Sequence, residues 1–183
     1  MAKPTLLRGA SAMWYVIQVF TGREEETKQL CKRLIPEEVL TDCFIPYREN
    51  MKKYLGKWHK EREILFPGYV FLITDRIEEV SVELKRVPGF TKLLGDRECL
   101  IALTNQEVAF IEHFGGKDRV TEMSVGFIIN DKIQIAQGPL IGMEGSIRKI
   151  DRHKRKAWVE VEMFGRKMEV QIGLEIVIKN EEK

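Results

Sequence analysis

Ala157-Trp-Val-Glu-Val-Glu-Met163 and Lys167-Met-Glu-Val-Gln-Ile172 are two runs with a period of two, separated only by Phe164-Gly165-Arg166. Alternation at that period places every second side chain on one face of a strand, so the pair reads as a β-hairpin with one face buried. Lys132-Ile-Gln-Ile-Ala136 alternates in the same way, and Glu175-Ile-Val-Ile-Lys179 follows. Glycines at 138, 142, 145, 165 and 173 lie between or beside these runs. Short strands separated by glycine turns predict a small all-β, SH3-like barrel over residues 124–183.

Upstream the pattern changes. Met13-Trp-Tyr-Val-Ile-Gln-Val-Phe20 is rich in β-branched and aromatic residues and predicts a strand. Thr21 is placed to cap the helix that follows. Glu24, Glu25 and Glu26 open that helix, Lys32 and Arg33 close it, and Pro36 stops it. Cys43–Tyr47 and Phe66-Pro-Gly-Tyr-Val-Phe-Leu-Ile73 supply further strands, and Gly56 marks a turn between them. Ile77, Val80 and Leu84 fall at helical spacing, and Thr104-x-x-Glu107 forms a capping box for a third helix. The order β-α-β-β-α-β-α predicts an α+β domain, an antiparallel sheet with flanking helices, over residues 13–114. Residues 1–12 read as a loose extension and 115–123, poor in apolar residues, as a linker.

The chain has 183 residues, 44% of them apolar, and a net charge of +2 from 30 basic and 28 acidic side chains. That near-balance excludes a polycationic protein but permits local patches. Three scattered cysteines, 31, 43 and 99, form no close pair in sequence and argue against a disulfide framework and for a cytoplasmic setting. No apolar run is long enough to span a membrane. His59, His113 and His153 have no second ligand at metal-binding spacing, so no metal or cofactor is expected. Gly138-Pro-Leu-Ile-Gly142 lacks the Lys and the helix that a phosphate loop requires. With no serine elbow and no distinguishable carboxylate pair, the sequence predicts a binding protein and not an enzyme.

Two basic runs stand out. Arg148-Lys-Ile-Asp-Arg-His-Lys-Arg-Lys156 carries six Lys/Arg against one Asp, a net +5. A field that concentrated is suited to nucleic-acid phosphates, with His153 or Trp158 available for stacking. A second run, Lys52, Lys53, Lys57, His59, Lys60 and Arg62, lies around the Gly56 turn.

Asp131-Lys-Ile-Gln-Ile-Ala-Gln-Gly-Pro-Leu-Ile-Gly-Met-Glu-Gly-Ser-Ile147 resembles a KOW motif. Phe164-Gly-Arg166, Trp14-Tyr-Val-Ile-Gln18, Phe66-Pro-Gly-Tyr-Val-Phe71, Val87-Pro-Gly-Phe90 and Leu103-Thr104 with Glu107 resemble segments of NusG-family transcription elongation factors, in the same order and spacing. The resemblance implies an N-terminal NGN domain that sits on the clamp helices of RNA polymerase. It further implies a KOW domain that recruits Rho, ribosomal protein S10 or RNA, in a monomer with no membrane association. By motif, Phe66, Tyr69 and Gln18 fall at the polymerase-contacting pocket, and Phe164 and Arg166 at the hairpin tip that faces KOW partners. The run around Gly56 falls where the family's hairpin points towards DNA.

Two features depart from the general pattern. Pro139-Leu140 stands where the family has Pro-Phe, keeping an apolar plug without the ring. The stretch 148–156 is basic where general members are acidic or mixed. These departures resemble LoaP-type antiterminators, which serve selected operons and use leader RNA or DNA for recruitment, and the sequence favours that reading. A general NusG acting with Rho or S10 is the alternative. A ribosome-associated KOW RNA-binding protein is a further one, although it would not need the Phe66–Tyr69 segment.

Overall fold

The computed structural model describes residues 12–88, 90–93, 95–96, 99–100 and 102–177. The expected extension before Ala12, Gly89 of the Pro88-Gly89 turn and the segment after Val177 lie outside them. The contacts divide the chain into two compact units. One comprises residues up to Phe44 with Gly68–Leu103, the other Ile45–Pro67 with Thr104 onward.

In the first unit β1 (Met13–Val19), α1 (Glu24–Leu34), β2 (Asp42–Phe44), β5 (Tyr69–Thr74), α2 (Ile77–Leu84) and β6 (Phe90–Leu93) follow in order. The second unit supplies β3 (Tyr47–Tyr54) and β4 (Lys57–Ile64) from the intervening segment. A two-strand ladder, β7 (Gly95–Asp96) with β8 (Cys99–Leu100), completes the first unit. Its main sheet runs β2-β5-β1-β6, all antiparallel. Val16, Ile17, Val70, Phe71 and Leu72 are almost wholly buried in it, as the β-branched and aromatic runs predict.

Helix α1 begins differently from expectation. Thr21 does not cap it. Glu24, buried at 1% exposure, turns back instead, accepting the Gly22 N–H at 2.7 Å and the Gly68 N–H at 2.7 Å. Both bonds are charge-assisted and tie the chain entering α1 to the Gly68 turn, while the helix itself has no side-chain cap. Cys31 and Cys43, scattered in sequence, come together at the α1–β2 contact as free, buried thiols. The hydrogen bond between them, with burial, pushes the Cys43 thiol up and keeps it protonated.

In the second unit β3 pairs with β4 in an antiparallel hairpin, and α3 (Asn105–Gly115) opens on the expected Thr104/Glu107 capping box. Within 115–123 the structure finds β9 (Val120–Thr121), which pairs parallel to Tyr47 and Arg48. After it come β10 (Ser124–Ile129), β11 (Lys132–Gln137), β12 (Ile147–Asp151), β13 (Lys156–Met163) and β14 (Arg166–Ile176). They form one curled sheet in the order β11-β10-β14-β13-β12.

That sheet is a half-barrel and not a closed barrel. Among the described residues no ladder joins β11 to β12, because the chain between them forms turns and a short 3-10 helix at Glu144–Ser146. Glu144 covers part of the open edge by accepting the Ile135 N–H at 3.3 Å. The expected apolar plug is present, since Leu140 is fully buried and donates its N–H to Ser124 Oγ at 3.1 Å. Ala157, Val159, Val161, Met163, Val170 and Ile172 form the inner face, the register that the alternation predicts.

Gly138 makes the plug possible. Its φ is +99°, and a Cβ there would stand 2.6 Å from the Ser124 Cα. Backbone cannot yield as a side chain can. Replacing Gly138 with Ala is therefore expected to destabilise the protein by about 2–4 kcal/mol, combining backbone strain with overpacking, read as a lower urea midpoint with unchanged slope.

Candidate partner-binding surfaces

Three hairpins of the second unit turn on two residues, both with positive φ. They are Leu55-Gly56 (50° and 77°), Asn130-Asp131 (48° and 61°) and Phe164-Gly165 (57° and 70°). This turn matches the twist of the strands it joins, but favours Asn, Asp or Gly at both positions. Leu55 and Phe164 break that preference, each at a cost of roughly 1–2 kcal/mol.

Phe164 is compensated by contacts. Its ring meets Phe66 edge-on at 5.7 Å, and Phe66 meets Phe110 at 6.4 Å. The Phe164 N–H donates to Glu107 Oε1, so one carboxylate serves both the α3 cap and this hairpin tip. The structure thus brings together Phe66 and Phe164, which the sequence assigned to separate surfaces. Glu107 and Phe110 were missed, since a capping box explains the first and helical spacing the second. Arg166, on the same tip, is exposed.

Neither ring of the Phe66-Pro-Gly-Tyr69 turn, which the resemblance places at the polymerase-contacting pocket, faces solvent. Phe66 is 1% and Tyr69 8% exposed. Packing of Phe66 against two other rings accounts for the first. Tyr69 opens the central strand β5, directly across from Gln18 on β1. Gln18 is exposed, and it presents the accessible part of that position.

The two basic runs also come together. Arg155 lies over the Trp58 ring at 4.3 Å, and Lys156 stands 3.7 Å from Glu63. Arg48 completes the junction, donating to the Gln171 carbonyl at 2.6 Å and to Glu63 Oε2 at 2.7 Å. Asn50 donates to Glu63 Oε1 at 2.8 Å. Burial pushes the Glu63 carboxyl up, but Arg48, Lys156 and Asn50 outweigh it and hold the pKa below the usual carboxylate range.

The basic side chains therefore differ in what occupies them. Arg148 pairs with Glu160 at 3.0 Å and Arg155 with Glu175 at 3.1 Å. Lys52 pairs with Glu61 at 3.5 Å and Lys60 with Glu49 at 3.0 Å. Lys149 lies over the Trp158 ring at 4.9 Å, and Lys53 over Trp58 at 5.9 Å. Lys57, Arg62, Arg152, His153 and Lys154 are exposed. His59 is half-buried and stacks on Tyr54 at 3.7 Å. No group of three metal-ligating side chains occurs among the described residues, and no described helix is long and apolar enough to cross a membrane.

A family model described as "Transcription termination factor nusG" matches residues 12–112. The chain is 28% identical to a transcription termination/antitermination protein NusG of Thermus thermophilus, over 92% of this chain and 99% of that one. It is 26% identical to the protein of the same name from Rickettsia felis, over 92% and 90%. Among solved structures it resembles one titled "Domain interaction in Thermotoga maritima NusG". The TM-score is 0.59 and the identity 24%, covering 90% of this chain and 93% of that one.

Because the folded Glu63 pKa lies below its unfolded value, its contribution is complete above the ordinary carboxylate range and is lost as pH falls through the lowered value. Glu63→Gln should remove that limb. Urea denaturation from pH 7 downward is expected to show wild type losing its advantage over the variant as the solution is acidified below about pH 4.3.

Proposed function

The chain belongs to the NusG family of non-catalytic transcription factors, and from that membership we propose that it acts as a general elongation and antitermination factor. The N-terminal module, 13–114, binds the clamp helices of RNA polymerase. The KOW module, 124–183, engages Rho, ribosomal protein S10 or nucleic acid. The observation that carries the polymerase reading is the exposed Gln18 opposite Tyr69 on adjacent strands, beside a Gly68 turn that Glu24 pins. Such a rigid, preformed patch suits a protein partner, because little ordering is lost on binding.

A specialised, operon-directed role is the second reading. The sequence favours it through its basic stretch 148–156, whereas relatives named transcription termination/antitermination protein NusG support the general reading. What favours it is that Arg152 and Lys154 remain exposed in the β12–β13 turn, as phosphate contacts require. Occupancy on transcribed DNA across the genome separates the two. Binding at nearly all genes is expected for the general factor, and binding at a few long operons for the specialised one.

Polymerase binding is testable without disturbing the core. Phe66→Ala would empty a fully buried site and cost about 3–5 kcal/mol of stability, so it cannot report binding alone. Gln18→Ala is expected to leave the melting temperature unchanged and to weaken capture of purified RNA polymerase. Unchanged capture would remove this surface from the proposal.

The division at 115–123 has its own test. Gly116, Lys117 and Asp118 are exposed there, and brief protease treatment should release fragments of roughly 115 and 60 residues. Resistance at this stretch would show that the β9 pairing holds the modules together.

A further inference from the structure

Two hairpin turns that are distant in sequence meet where Arg155 covers Trp58 at 4.3 Å. Lys53 is the cross-strand neighbour of Trp58, and Lys57 precedes it. Arg152 and Lys154 lie in the turn that leads to Arg155. All four cations are exposed. Among the described residues none of them has a carboxylate in ion-pair range, whereas Lys52, Lys60, Arg148 and Arg155 each have one. The acidic partners thus neutralise the flanks and leave positive charge on both sides of one contact.

The tip of the β3–β4 hairpin adds an apolar element. Leu55 is 92% exposed in the left-handed region, and Tyr54 is 48% exposed with His59 stacked on it. Packing does not account for Leu55, and its backbone would be more stable as Asn or Gly. Strain kept at an exposed site without compensating contacts points to a ligand.

We propose that the two basic hairpins form one continuous surface that takes a single unpaired nucleic-acid strand. Its phosphates lie on Lys53, Lys57, Arg152 and Lys154, and its bases against Tyr54 and Leu55. This rests on the nucleic-acid reading above and makes one site of what the sequence shows as two. A duplex offers the same phosphates but hides the base faces, so it leaves the apolar tip without a partner. An unpaired strand satisfies both elements, since base faces stack on such platforms without regard to sequence.

The test uses the full chain and fluorescent 20-mers of oligo-U RNA, oligo-dT and a DNA duplex, followed by anisotropy over a range of salt. One strand per protein is expected, bound more tightly than duplex, and the RNA and DNA arms tell the two sources apart. K53Q/K57Q and R152Q/K154Q should each weaken that same transition and lower the salt slope by up to ~1.4, from ~0.7 per phosphate contact. Leu55→Asn should keep or raise the melting temperature, weaken binding roughly tenfold and leave the salt slope unchanged. Two strands per protein, with each double variant removing one, would overturn the single surface while leaving nucleic-acid binding in place. Duplex binding as tight as single-strand binding, or no effect of Leu55→Asn, would overturn the assignment of an unpaired strand. No binding of any probe by the wild type would overturn both this inference and the nucleic-acid reading beneath it.

Discussion

Glu63 is the single group on which the second unit's architecture turns. Its two oxygens accept from Arg48 and Asn50, and Lys156 stands beyond them at 3.7 Å. Arg48 reaches past the carboxylate to the Gln171 carbonyl, so the β3–β4 hairpin is tied to β14 by a charge-assisted contact. Such a junction carries a condition. The carboxylate is partly buried, with 35% of its side chain exposed, and its donors outweigh the cost of that burial. Where one donor is lost, the carboxylate keeps fewer partners to offset its partial burial. The backbone closes around the same junction, for a Cβ on Gly173 would stand 2.8 Å from the Glu49 carbonyl oxygen. Contact this close is available only to glycine.

The junction also sorts the basic residues by use. Counting charges along 148–156 treats six cations as equivalent. In the fold, Arg148, Arg155 and Lys156 face carboxylates and Lys149 faces a ring, which leaves Arg152 and Lys154 in the turn. Cations held by carboxylates stabilise the protein's own surfaces, and exposed ones are available to a polyanion. This is why net charge of a stretch is a weaker guide to binding than the partners of each side chain.

Much of the fold is legible in the sequence because its signals are local. The alternation in β13 and β14 gives the buried face residue by residue, and Thr104 with Glu107 gives the start of α3. Pairings across long separations are not legible. Nothing local shows that Glu24 would bind the Gly68 N–H, or that Cys31 would meet Cys43. Nor do strand count and glycine spacing reveal that no ladder joins β11 to β12 among the described residues. At the candidate surfaces, the sequence offers residue types and not their grouping. Phe66 and Phe164 reach each other through tertiary packing, and so do Trp58 and Arg155.

The position of β14 in its sheet bears on how the protein is made. This strand, Arg166–Ile176, lies between β10 and β13 and carries the Gln171 carbonyl that holds Arg48. During synthesis from the N-terminus, β10–β13 emerge before it and have no centre around which to assemble. The β3–β4 hairpin, translated much earlier, waits for the same strand. The first unit is also interrupted, but its last described residues precede α3. Translation therefore leaves the β3–β4 hairpin without this partner strand until residues 65–176 have been made, a stage at which unpaired strand edges need protection.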